Sequence, residues 1–109
     1  MAENFNRTST VITTADFRSI YQAPANGNVI VLSCLIANVD AVADATIKVD
    51  IVNGSDVEQS KLAHEVIVPS NASLEVIINK LILKGNEKLR CQSDGGHPIN
   101  ATVSVLEIQ

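Results

Sequence analysis

Nucleophilic catalysis needs a serine or cysteine held by a histidine and an orienting acid. The chain offers Ser33, Cys34 and Cys91 as nucleophiles and His64 and His97 as bases. All three nucleophiles fall inside aliphatic runs that read as core strands, and no Gly-x-Ser-x-Gly elbow presents a serine. Neither histidine has a Cys or His at the short spacing that a zinc site uses. His64 lies in an alternating segment and His97 in the loop Asp94-Gly95-Gly96-His97-Pro98, so both read as surface or rim residues. Asp40, Asp44, Asp50 and Asp56 lack the spacing and closing Glu of a calcium loop. They read as turn formers and solvated strand residues. Gly95-Gly96 opens no helix that could cradle a phosphate, and reads as a hairpin tip. No catalytic, cofactor-binding or metal-ligating residue is assigned, no cofactor is expected, and the chain is read as not an enzyme.

Two residue patterns depend on where the chain is made. Cys34 and Cys91 read as buried free thiols if synthesis is cytoplasmic, and as a bridge between sheets otherwise. Asn6, Asn53, Asn71 and Asn100 each begin an Asn-x-Ser/Thr triplet. Met1 to Thr10 is polar and has no apolar core of a signal peptide, so these triplets are attributed to composition. A soluble protein made in a cytoplasm is expected. The longest apolar stretch, Val29 to Val39, is too short to span a membrane.

Composition narrows the function classes. The 109 residues suit one domain, and 46% are hydrophobic against 18% charged, which disfavours disorder. Aromatics are 3%, namely Phe5, Phe17 and Tyr21, so stacking platforms for bases or sugars are scarce. The net charge is −4, and the Lys and Arg residues form no run, so no nucleic-acid partner and no membrane are expected.

The elements that must position these residues alternate with period two. Strands are expected over Thr8 to Thr14, Phe17 to Gln22, Asn28 to Asn38, Ala45 to Val52, Lys61 to Val68, Leu74 to Leu83 with a bend near Asn79-Lys80, Lys88 to Ser93, and Asn100 to Ile108. Turns at Ala23–Gly27, Asp40–Asp44, Asn53–Asp56, Pro69–Ala72, Gly85-Asn86 and Asp94–Pro98 separate most of them. The expected fold is all-β: one antiparallel sandwich of about eight strands over residues 1–109, jelly-roll or immunoglobulin-like. Residues 1–7 are expected as a flexible or assembly-ordered arm. On Asn28 to Asn38, alternation puts Val29, Val31, Ser33, Leu35 and Ala37 on one face and Ile30, Leu32, Cys34 and Ile36 on the other. Both faces are apolar, which predicts a central strand or one covered by a neighbouring subunit.

The segments Ser19–Gly27, Val29–Asp40, Leu62–Pro69, Ser73–Val76, Leu83–Arg90 and Ala101–Ile108 together resemble small virion structural proteins of tailed bacteriophages, above all those of marine and cyanobacterial hosts. The resemblance covers nearly the whole chain. The first loop reads Pro24-Ala25-Asn26-Gly27, one residue longer than the Pro-Ala-Gly frequent in that family. The resemblance implies a β-sandwich building block of the head surface, as decoration, or of the neck or tail. It would be made in the host cytoplasm and located in the virion. Its implied partners are other virion proteins and copies of itself, with a trimer or another cyclic oligomer expected. Two other classes compete. A carbohydrate-binding module for host attachment would need aromatic faces that this composition lacks. A small enzyme would need a site around His64 or His97.

Overall fold

The computed structural model describes residues 3–13, 15–40, 42–77, 80–94 and 98–108. Among them are nine strands and no helix: β1 (Glu3–Ile12), β2 (Arg18–Gln22), β3 (Asn28–Asn38), β4 (Ala45–Val52), β5 (Glu58–Val68), β6 (Ser73–Glu75), β7 (Leu81–Leu83), β8 (Lys88–Ser93) and β9 (Ile99–Ile108).

Their pairing is that of a long antiparallel ribbon folded over on itself. β1 pairs with β9, β2 with β8, β3 with β6 and β7, and β4 with β5. Pairing of β3 with β9 and of β4 with β8 then closes two sheets. Sheet A runs β1-β9-β3-β6, with β7 also on β3, and sheet B runs β2-β8-β4-β5. This is a jelly roll, the first of the two sandwich topologies expected. With β6 and β7 counted as one interrupted strand, the eight expected strands are all present.

The core between the sheets is aliphatic. Sheet A contributes Ile12, Val29, Val31, Cys34, Ile36, Ile99, Ala101, Val103 and Val105; sheet B contributes Ile20, Ala45, Ile47, Val49, Ile51, Val68, Leu89 and Cys91. Branched side chains of this size fill the ~10 Å between packed sheets without aromatic bulk. Tyr21 closes one rim, its hydroxyl donating to Glu107 at 2.5 Å. Burial, that hydrogen bond and the Glu107 charge together push the phenol pKa well above its usual value, so it remains a donor. Gly85 lies under the loop before β3; a Cβ there would run into the backbone carbonyls of Pro24 and Ala25.

Several boundaries differ from the alternation. β1 starts at Glu3, so residues 3–7 are strand paired with Ser104–Ile108. β5 begins at Glu58 and carries extra residues at three places relative to β4, with Glu65 at φ 55°. Such bulges twist an edge strand away from further pairing. They also explain why its alternation failed to show which side chains face inward. Leu74 to Leu83 is two short strands rather than one. Asn79, where a bend was expected, His97 and Gly95-Gly96 lie outside the described residues.

The faces of β3 also need correction. Val31 pairs with Val105, but Ser33 pairs with Ser104, so Leu32 is an extra, bulged residue. The parity reverses there. Val29 and Val31 face the core before the bulge, and Cys34, Ile36 and Asn38 face it after; Leu32 and Leu35 are exposed. The bulge lies beside the break between β6 and β7. A side chain fills that break. The Glu75 carboxylate accepts from the Ser33 hydroxyl, from Cys34 N at 2.8 Å and from Ile77 N at 3.0 Å. Val76 N donates back to Cys34 O at 2.9 Å.

Burial alone would raise the Glu75 pKa. The hydrogen bonds from Ser33 and from the amides of Cys34, Ile77 and Val76 outweigh it and hold the carboxyl below its ordinary 4.5. A depressed folded-state pKa means that this stabilisation is complete above 4.5 and is lost as pH falls through the lower folded value. Glu75→Gln should therefore be less stable than the parent near neutral pH, with the gap closing well below pH 4.5. Denaturant midpoints at the two pH values check this; a gap that widens in acid would contradict it.

Candidate functional site

Among the described residues, those with chemical potential do not converge. Ser33 serves Glu75. Cys34 and Cys91 are fully buried free thiols, one on each sheet, both turned into the core. Burial is the main cause that pushes both up to about 12; Cys91 and Glu75 add to it at Cys34, and Asp50 at Cys91. Neither is a thiolate nucleophile near neutral pH. His64 is exposed at the β5 bulge.

The four aspartates separate in the same way. Asp40 accepts from Val42 N and Ala43 N, Asp44 from Ser70 N, and Asp56 pairs with Lys88 at 2.9 Å. These are turn and surface roles, as the spacing suggested. Asp50 is different. It was expected as a solvated strand residue, yet it is 3% exposed. Among the described residues, no group of three His, Cys, Asp or Glu is arranged to hold a metal.

Asp50 is buried because β4 and β8 pair in a register that sets Arg90 directly opposite. The guanidinium forms a fork, Nε to Oδ1 at 3.0 Å and Nη2 to Oδ2 at 2.8 Å. Its plane lies over the Phe17 ring, 4.3 Å from the centroid. Two bonds and a stacked ring compensate the cost of taking these charges from water. Beside them is a cleft of about 170 Å³ bordered by Phe17, Asp50, Lys61 and His64. Its other charges are already engaged: Lys61 with Glu58 at 2.7 Å, and Lys48 with Glu65 at 3.9 Å. The cluster is a latch on the outer face of sheet B. The alternation of Lys88, Arg90 and Gln92 marks that face in the sequence, but nothing local pairs Arg90 with a residue forty positions earlier.

The outer face of sheet A is of another kind. The register aligns Phe5, Leu106, Ile30 and Ile82 in one row across four strands. Phe5 is 79% and Ile82 63% exposed. Leu32 and Leu35 add to the same face. Between Phe5, Arg7 and Leu32, over Ser104, is an open hollow of about 480 Å³. The three aromatics therefore lie apart: Phe5 on this face, Phe17 on the opposite one, and Tyr21 in the rim. They form no shared platform for a sugar ring.

No protein-family model matches the chain, and no curated protein does. Solved structures do. A chain of the T13 IBDV viral particle matches 98% of this chain at 9% identity and a TM-score of 0.59, with 31% of that chain covered. The present chain thus spans about a third of the length of that relative. A chain of the Bacillus endospore appendages, disulfide-linked pili, matches over 100% of this chain and 91% of its own at 7% identity and a TM-score of 0.54. A chain of the cyanophage Pam1 capsid matches over 96% of this chain and 83% of its own at 17% identity, but its TM-score of 0.42 is too low to establish a common fold. At these identities the first two likenesses show the sandwich fold alone.

Removing one partner of the buried ion pair leaves the other charge uncompensated. Arg90→Ala should cost about 3 kcal/mol of folding stability in denaturant unfolding. The double change Asp50→Leu with Arg90→Met should recover most of that loss. A single-variant loss near zero would contradict a latch.

Proposed function

We propose that this chain is a structural subunit of a viral particle, working by contact with other proteins and not by chemistry. One observation carries this reading. The charged groups with buried partners are satisfied within the fold, while an apolar row, Phe5, Leu106, Ile30 and Ile82, runs across the outer face of sheet A with its two ends exposed. A face of this kind on a small domain marks a surface for protein contact.

Two further points support it. The jelly-roll architecture is shared with a chain of the T13 IBDV viral particle, and a related sandwich occurs in Bacillus endospore pili. The sequence resemblance to small virion proteins of tailed phages suggests the finer placement: a decoration, neck or tail component, made in the host cytoplasm, that binds copies of itself and other particle proteins. Buried thiols separate this chain from any scheme that links subunits by disulfides, since neither Cys34 nor Cys91 reaches the surface. No catalytic role is assigned.

The test is mass spectrometry of purified particles. The chain should sediment with intact particles and be present in many copies in each. Recovery in the soluble lysate alone would overturn the proposal.

A further inference from the structure

We infer that the outer face of sheet A packs against the same face of a second copy, around a twofold axis parallel to the strands. This rests on the structural reading above and names the surface through which two copies meet.

The register sets the pattern of this face. Outward residues form rows: Glu3, Ile108 and Asn28; then Phe5, Leu106, Ile30 and Ile82; then Arg7, Ser104 and Ser33; then Ser9, Thr102, Leu35 and Glu75; and last Val11, Asn100, Ala37 and Ser73. Lys84 follows Leu83 and stands at the height of the first row, because Leu83 pairs with Val29. A twofold axis between two such faces keeps every row at its height and exchanges the edges. β1 then lies over the partner's β7 and β6, and β9 over the partner's β3. The two sheets stay aligned within the angle that stacked sheets adopt.

The first two rows then meet suitable counterparts. Phe5 comes over the partner's Ile82, and Leu106 over the partner's Ile30. Each contact occurs twice, as an isologous interface requires. Glu3 comes over the partner's Lys84, opposite in charge. The bulged Leu32 of each copy comes over the Ser104 hollow of the other. A knob and a hole on one surface, exchanged by the same axis, are the mark of a self-complementary face.

The size fits. Four strands at about 4.8 Å and five outward rows at about 6.8 Å give roughly 650 Å² per copy, so about 1,300 Å² per pair, the lower end of stable specific interfaces. Repetition around a particle would strengthen such a contact by avidity. A twofold is among the cyclic arrangements expected from the sequence, and it is the one that brings Glu3 over Lys84.

Sedimentation equilibrium of the full chain tests it. The parent should be a dimer. Phe5→Asp and Ile82→Asp, both at exposed positions, should each weaken it by about a hundredfold or more, since each acts twice per dimer. Circular dichroism should show both variants folded. Glu3→Lys and Lys84→Glu should each weaken the dimer, and the chain carrying both should recover it. A parent that stays monomeric, an oligomer indifferent to Phe5→Asp and Ile82→Asp, or failure of the double charge exchange to restore would overturn this interface. A monomeric chain that is still present in purified particles overturns the dimer alone and leaves the structural reading standing. A dimer broken by these changes, in a chain absent from particles, supports the interface and overturns that reading.

Discussion

The clamp of Glu75 on the bulge of β3 is the interaction on which the two faces of sheet A depend. β3 is apolar at almost every position, and a strand of that kind has no intrinsic preference for one register. One extra residue at Leu32 reverses its parity and moves Cys34 and Ile36 into the core. The reversal leaves backbone donors opposite a break in the neighbouring strand. An amide left unpaired there would cost about 1–3 kcal/mol. Glu75 supplies the acceptor, so one carboxylate holds both the bulge and the break.

From that constraint the character of the outer surface follows. Because β3 turns Leu32 and Leu35 outward, and because Phe5, Leu106 and Ile82 share rows with its outward residues, the apolar character of the sequence ends up on two sides of one sheet. The inner side makes the core. The outer side is surplus to folding. Sheet B is arranged differently: its outer face is charged, its buried Asp50 is closed by Arg90, and its edge β5 is broken by bulges. The molecule thus has one face crossed by an exposed apolar row and one face that is charged.

Much of this was legible in the residues. The alternation of Ala45–Val52 placed β4, the turn at Pro69–Ala72 placed the end of β5, and β-branched content favoured strand over helix at Leu74–Leu83. The surplus of apolar surface on Asn28–Asn38 was visible as well. What stayed hidden is long-range. Alternation cannot reveal a bulge, because an inserted Leu32 looks like any other strand leucine. Asp50 looked like a wet strand residue, since its burial comes from Arg90 and Phe17, brought to it by pairing between distant strands. Glu3–Arg7 is too polar to read as strand, and is strand only because β9 runs beside it.

The central claim is that β3 reverses parity at Leu32 and so presents a face that a second copy covers. Methyl NMR with a soluble paramagnetic agent, recorded as the protein is concentrated, examines both parts at once. In dilute solution, Leu35 methyls should be broadened and Ile36 methyls should not. On concentration, the methyls of Ile30, Ile82 and Leu106 should become protected while the Ile67 methyls on sheet B do not change. Broadening of Ile36 in place of Leu35, or an Ile82 signal indifferent to concentration, would contradict the account.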